Sequence, residues 1–216
     1  MSKIFIDTNV FVHWIILSKI RSERLNDPAL WNKFRKIRPS FEFLEKIREQ
    51  NLFNNFAFFT SPLVISEIFY ALLDEYRCRR MNDDGVPLSK WLTVKEKFNL
   101  SPKEAIEVTQ EIENFLDEFG IFNHLGKNRK IRSLTTDDVD YFLISKLILE
   151  KNFRTHDAVL ISTAANSGCE YFITTDKILI DSKIDDIKII NPESLLQKVK
   201  SIDNTVSDEK FKVTLF

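Results

Sequence analysis

Three aspartates in this chain stand at positions where an α/β protein usually has its chemistry. Asp7 directly follows a short apolar run at residues 4–6, and Asp176 follows a second apolar run at 171–174. Asp157 lies in the first turn of a helix that begins in the segment "THDA". Strand ends and the helix starts that follow them meet at one edge of a parallel sheet, so the three carboxylates are predicted to converge. Taken singly, each also fits an ordinary role, as a turn former or as a complement to a helix dipole.

A cluster of carboxylates needs a partner charge. Two of them 4 Å apart repel by about 4 kcal/mol at an effective dielectric constant of about 20, so they must share a cation or hold protons. The chain has no CxxC pair and no group of cysteines and histidines, and hard oxygen ligands favour Mg²⁺ or Mn²⁺ over zinc. Only four glycines occur, and none forms a GxGxxG or Walker phosphate loop, which excludes nucleotide-binding enzymes of those types.

The segments that must position these acids alternate between strand and helix patterns. Short apolar runs at residues 4–6, 56–59, 171–174 and 187–190 predict strands that are buried on both faces. Helical signals lie between them. The predicted fold class is therefore α/β, a three-layer α/β/α sandwich with a mainly parallel central sheet, plus extra helices.

Capping signals delimit several of the predicted helices. Ser61, followed by proline, opens one helix, and Thr155 is predicted to cap another that ends at Gly168. The segment "SPKE" at 101–104 is a capping box that starts a third. Residues 87–151 are expected to be helical wherever they are regular.

Four segments resemble the PIN domain family of metal-dependent ribonucleases: "IFIDTNVFV", "SPLVISEIFYAL", "THDAVLISTAANSGCEYFITTDK" and "IKIINPESLL". The resemblance implies a PIN-like fold and a site that binds a divalent metal, Mg²⁺ or Mn²⁺, and hydrolyses RNA. It places the catalytic and metal-binding acids at Asp7, Glu67, Asp157 and Asp176. Asn9 and Thr174 fall where the family has small polar residues that support the acids.

Glu67 enters this set only through the resemblance. The apolar stripe of its predicted helix runs through Ile65, Ile68, Phe69, Leu72 and Tyr76. Glu67 lies nearly opposite that stripe, where a solvated glutamate is the ordinary interpretation. Pattern alone would not select it.

The chain is predicted to be a single PIN-like nuclease domain over 1–200, with helical insertions at about 18–50 and 87–135 and a charged tail at 201–216. The insertions lengthen the gaps between the acids beyond those of the compact toxin nucleases of toxin–antitoxin pairs. No stretch is long and apolar enough to span a membrane, the N-terminus does not fit a signal peptide, and the two cysteines suit a reducing compartment. A cytoplasmic location is expected.

The predicted substrate is RNA, in single-stranded form. Lys+Arg number 31 against 32 Asp+Glu, so phosphate contacts must come from local patches and not from net charge. The basic segment at 127–132 is expected to be a loop that contacts RNA through Lys127, Arg129, Lys130 and Arg132. Similar basic runs occur at 33–38 and 77–80, and a solvated surface is the ordinary explanation for all three runs. Phe122 and Phe142 are near enough in sequence to stack bases, although core packing is their more common role.

Two other functions fit the same sequence. A non-catalytic PIN-like module that binds RNA or protein would keep the fold without using the acids. A metal-dependent phosphatase with an aspartyl nucleophile would need a second aspartate two positions after Asp7, where this chain has Asn9. If the protein is a ribonuclease, we also expect that it binds an antitoxin or another protein partner and that it forms a homodimer.

Overall fold

The computed structural model describes residues 1–23, 34–49, 55–121, 130–135 and 139–199. The predicted RNA contacts Lys127 and Arg129, the ring of Phe122 and the charged tail at 201–216 lie outside these residues.

Parallel strands form the central sheet: β1 (Ser2–Ile6), β2 (Phe56–Thr60), β3 (Ile131–Ser133), β4 (Tyr171–Ile173) and β5 (Lys188–Ile190). Their order across the sheet is β3-β2-β1-β4-β5, and every neighbouring pair is parallel. At the centre, Ile4 of β1 pairs with Phe58 of β2 on one side and Tyr171 of β4 on the other. The predicted strands and their parallel arrangement are confirmed.

Helices connect these strands. Those before β3 are α1 (Thr8–Glu23), α2 (Arg38–Glu49), α3 (Pro62–Asp83), α4 (Trp91–Val94) and α5 (Pro102–Phe119), with 3-10 turns at Leu88–Lys90 and Lys95–Lys97 flanking α4. Those after β3 are α6 (Tyr141–Leu149), α7 (Thr155–Asn166), α8 (Lys177–Asp181) and α9 at 192–199. Within the described residues, no helix combines the length and apolar character needed to cross a bilayer.

The direction in which the chain crosses the sheet sorts the connecting helices into two layers. From β1 the chain moves outward to β2 and β3, and it then returns to β4 and β5 on the other side of β1. Right-handed crossovers therefore put the helices of the two halves on opposite faces of the sheet. In the first layer α1 packs against α2 and α3, and in the second α6 packs against α7. The predicted α/β/α sandwich is confirmed.

Phenylalanine rings make up much of the core. Phe5 of β1 stacks on Phe172 of β4 with ring centroids 5.3 Å apart, and Phe11 of α1 meets Phe115 of α5 edge-on at 5.1 Å. Phe43 of α2 is also fully buried, so the segment predicted as the first insertion contributes to this core. Burying a side chain of this size stabilises the fold by roughly 1.5–3 kcal/mol.

The helix ends follow the capping signals with one exception. Ser61 and Ser101 cap α3 and α5 through their hydroxyls, and Gly168 after α7 adopts the left-handed conformation, with φ 72. Thr155, however, is the first residue inside α7, and Arg154 occupies the N-cap without a side-chain hydrogen bond. The prediction that Thr155 caps this helix is wrong, because the extended backbone that an N-cap requires falls one residue earlier.

The expectation of only helices in 87–151 is also wrong, because residues 131–133 form the edge strand β3. Ile131 is fully buried and pairs with Phe58 of β2, whereas Arg132 is exposed. A strand of three residues with one buried side chain is too short to show an alternation of apolar and polar residues in the sequence. The segment forms a strand because it pairs with β2. The predicted loop at 127–132 therefore ends inside β3, and the predicted insertion at 87–135 includes this strand.

Candidate active site

Asp7 lies where the chain order reverses across the sheet. It follows β1, from which the chain continues to β2 over one face of the sheet. It also lies beside β4, from which the chain continues to β5 in the opposite direction over the other face. The Asp7 N–H donates to the carbonyl of Ile173 at the end of β4, at 3.0 Å. Crevices at such reversal points, outside the carboxyl ends of the strands, are where open α/β sheets bind ligands.

The Asp7 carboxylate is buried, and each of its oxygens accepts a hydrogen bond. Only 6% of the residue is exposed. Its Oδ1 accepts from the N–H of Thr8 at 2.8 Å, and its Oδ2 accepts from the hydroxyl of Thr174 at 2.7 Å. Burial raises the pKa of Asp7 to about 7, the charges of Glu67 and Asp157 add to the rise, and the two hydrogen bonds oppose it.

Thr174 and Asn9 link the two strand ends. The Thr174 hydroxyl, which is fully buried, also accepts from Asn9 Nδ2 at 3.2 Å and from the Asp176 N–H at 3.0 Å. Asn9 Oδ1 accepts from the N–H of Thr175 at 3.1 Å. One hydroxyl thus fixes the carboxylate of Asp7 and the backbone of Asp176. The structure brings together the two polar residues that the resemblance selected as supports.

Asp176 is the N-cap of α8. Its Oδ1 accepts from the N–H of Ile178 at 2.8 Å. The residue is half-buried and lies just beyond the carboxyl end of β4. An aspartate at this position is a turn former by its local geometry. Its charge nevertheless acts on Asp157, so the structure places both aspartates on the same rim.

Asp157 lies in the first turn of α7, which starts at that rim. Burial raises the pKa of Asp157, repulsion from Asp176 and Glu67 adds to the rise, and the nearby Arg154 and His156 side chains oppose it. The Asp157 carboxylate is therefore near enough to Asp176, after β4, and to Glu67, in α3, for their charges to act on it.

Glu67 is held by side chains from two other helices. Its Oε2 accepts from the hydroxyl of Thr8, the first residue of α1, and its Oε1 lies 3.3 Å from Nδ1 of His156 in α7. The Glu67 side chain is 25% exposed. The ordinary interpretation of a solvated glutamate is therefore wrong.

Thr8 is the site residue that the sequence analysis missed. It lies 59 positions from Glu67, and a hydroxyl at a helix start is common, so no local signal marks it. The apolar stripe of α3 is confirmed for Ile65, Ile68, Leu72 and Tyr76 but not for Phe69, which is 41% exposed.

The donor set fits a hard divalent cation. All four candidate acids offer carboxylate oxygens, and Mg²⁺ and Mn²⁺ prefer such ligands. Within the described residues, no three His, Cys, Asp or Glu side chains are already grouped as a metal site. Asp7, Glu67 and Asp176 each point at least one oxygen toward a hydrogen-bond donor instead.

Of the four predicted basic contacts, Lys130 and Arg132 lie within the described residues. Lys130 Nζ donates to the carbonyl of Glu118 near the end of α5, at 3.0 Å, and Arg132 is exposed on β3. In the run at 77–80, Arg79 pairs with Glu75 and Arg80 pairs with Glu104. These arginines of α3 thus have partners within the fold.

Comparison with known proteins gives one relative and no family model. No family model matches the chain. A protein of Archaeoglobus fulgidus, described only as an uncharacterized protein, is 30% identical over 101 residues. The match spans 46% of this chain and 84% of the archaeal protein. The chain therefore belongs to the same family as this Archaeoglobus fulgidus protein.

Proposed function

We propose that the protein is a PIN-like, divalent-metal-dependent ribonuclease that hydrolyses RNA phosphodiester bonds at Asp7, Glu67, Asp157 and Asp176. The observation that supports this most is that carboxylates from separate elements meet at the reversal point of the sheet, where the pKa values of Asp7 and Asp157 are raised by burial and by the neighbouring acids. Folding such charges together is unfavourable unless a cation offsets them or some of the carboxylates bind protons. The resemblance to PIN domains supports RNA as the substrate.

Each acid has a distinct place in this proposal. Asp7 would be the fixed ligand, because Thr174 and Thr8 hold both of its oxygens. Asp157, Asp176 and Glu67 would complete the set from α7, α8 and α3. When bound, Mg²⁺ or Mn²⁺ would lower the pKa of a coordinated water and would offset the negative charge on the phosphate oxygens.

His156 gives the site a hydrogen-bond donor on its open side. Its side chain is 69% exposed, and one ring nitrogen lies 3.3 Å from Glu67. Because Nδ1 must carry a proton to donate to the Glu67 carboxylate, the other ring nitrogen, Nε2, donates to a phosphate oxygen of the substrate only when the imidazole is doubly protonated. In this role His156 would orient the substrate and would not take part in bond cleavage.

The test is cleavage of a labelled single-stranded RNA with Mn²⁺, with Mg²⁺ and with excess chelator. Cleavage should need the metal, and the products should carry 5′-phosphate and 3′-hydroxyl ends. Asp157→Asn should abolish it, whereas Asp186→Asn should not, because Asp186 is exposed at the opposite edge of the sheet, just before β5.

Undiminished cleavage in chelator, or products with 2′,3′-cyclic phosphates, would refute the proposal. The second result would mean attack by the 2′-hydroxyl of the substrate. RNA binding without any cleavage would instead favour a non-catalytic binding module.

A further inference from the structure

The outer side of α6 is apolar and exposed. Tyr141, Phe142 and Leu149 are 78%, 81% and 82% exposed, whereas Leu143 and Leu147 on the other side of the helix are buried. The expectation of core packing is therefore wrong for Phe142. The buried side is enough to dock α6 on α7, so these three large side chains have no evident role in the fold, and exposed apolar groups of this kind mark interaction sites.

Cations border this apolar surface. Lys146 follows Phe142 by one helical turn, and Lys151 and Arg154 come just after the end of α6. None of the three forms an ion pair with another described residue. Glu150 is the one acid in the sequence from 141 to 154. The surface thus combines flat apolar rings with positive charge.

One end of this surface lies close to the candidate acids. The Asp140 N–H, just before α6, donates to the hydroxyl of Ser162 in the second half of α7, at 3.0 Å. Residues 150–154 then join the end of α6 to the start of α7, so the two helices run in opposite directions. Leu149 and Arg154 consequently lie at the rim where Asp157 stands, and Tyr141 lies about 12 Å further along the helix.

We propose that this surface, the α6 face (Tyr141, Phe142, Lys146, Leu149, Lys151 and Arg154), binds single-stranded RNA on one side of the acids. Bases would stack on the rings of Tyr141 and Phe142, and Lys146, Lys151 and Arg154 would contact phosphates. The proposal rests on the ribonuclease function and names where its substrate lies.

The chemistry of the face favours RNA over a protein partner. Unstacked bases pack on aromatic rings without regard to sequence, and cations beside the rings track the backbone. A protein docked on the apolar rings would also cover the Lys146 ammonium group. That charge would be buried without a partner unless the protein supplied an acid opposite it. Phosphates supply that charge at regular intervals along the strand.

The experiment is fluorescence anisotropy with a labelled single-stranded RNA of mixed sequence, in chelator so that no cleavage occurs. The double variant Tyr141→Ala, Phe142→Ala should weaken binding about tenfold or more at both low and moderate salt. The triple variant Lys146→Gln, Lys151→Gln, Arg154→Gln should weaken it mainly at low salt. Its salt dependence should fall by roughly one slope unit for each phosphate that the variant no longer neutralises.

Matched controls come from the segment around α4. Leu88 and Leu92 are 76% and 93% exposed, so Leu88→Ala, Leu92→Ala removes similar apolar surface away from α6. Lys90→Gln, Lys97→Gln removes exposed cations there. Both controls should bind RNA as the wild type does.

Unchanged RNA affinity in the aromatic and cation variants would overturn the inference, and so would a wild type that binds no RNA. Sedimentation gives the other decisive result: a wild-type dimer that Tyr141→Ala, Phe142→Ala dissociates without loss of RNA binding would make the face an interface between copies. Weakened binding in a protein that never cleaves RNA would uphold the α6 face while refuting the nuclease.

Discussion

The two sides of the acid cluster are held in opposite ways. Asp7 is buried, and both of its oxygens accept hydrogen bonds from neighbours at the ends of β1 and β4. Glu67 is partly exposed and is held by Thr8 and His156, side chains of two other helices. Burial raises the pKa of Asp7 and so opposes its charge, whereas Glu67 is more exposed and is held only by side chains. We infer that the buried side orders the site and the exposed side adapts to the substrate.

The largest expected effect is on the stability of the protein without metal. An acid whose folded-state pKa is raised contributes stability that is full below its ordinary pKa and is lost as pH rises through the raised value. For Asp7 that window runs from 3.8 to about 7. Because each pKa unit is worth about 1.4 kcal/mol, Asp7→Asn should gain about 3 kcal/mol over the wild type between pH 5 and pH 8.

Denaturant unfolding in chelator at several pH values measures this gain. Asp186→Asn, at an exposed aspartate away from the four acids, is the control, and its stability profile should keep the slope of the wild type. If the free energies of unfolding of Asp7→Asn and the wild type changed with pH in parallel, Asp7 would be ionised at no cost. The contrast between the buried and the exposed side of the site would then be wrong. The raised pKa of Asp157 acts in the same direction in all three proteins.

Metal should reverse this penalty. Mn²⁺ at about 100 times its dissociation constant should raise the free energy of unfolding by about 2.7 kcal/mol. The gain should be larger at pH 8 than at pH 5, because bound protons compete with the cation for the carboxylates. Thermal unfolding with and without Mn²⁺ measures it, and an equal gain in Asp7→Asn would count against Asp7 as a ligand.

A smaller effect is expected from Thr174. Thr174→Val keeps the shape of the side chain but removes the hydroxyl that bonds Asp7, Asn9 and Asp176. Affinity for Mn²⁺ should fall about 10- to 100-fold, as for other residues that orient metal ligands. Calorimetric titration with Mn²⁺ checks this, and Thr174→Ser should restore most of the affinity. Full affinity in the valine variant would mean that burial alone positions Asp7.

The smallest effect is expected on the exposed side. Thr8→Val removes the hydrogen bond to Glu67 and keeps the backbone N–H that bonds Asp7. One such bond is worth about 0.5–1.5 kcal/mol, so cleavage should fall about tenfold or less. The pH profile of stability should stay that of the wild type. A change in that profile would show that the two sides are coupled through Thr8.

Local pattern was enough for much of the fold and for three of the four acids. The apolar runs at 4–6 and 171–174 end at Asp7 and just before Asp176, and a parallel sheet brings such ends to one edge. Helix caps at Ser61 and Ser101 depend on residues within one turn, so they too were readable. These features rest on short-range geometry that the chain carries in its residue order.

Tertiary structure decided the remainder. The strand β3 exists because Ile131 pairs with Phe58, and Glu67 joins the site because Thr8 and His156 reach it from α1 and α7. The exposure of Phe142 likewise depends on which side of α6 meets α7. The residue order determined which groups stand at strand ends and helix starts, whereas these contacts join residues far apart in sequence, and only the packed layers bring them together.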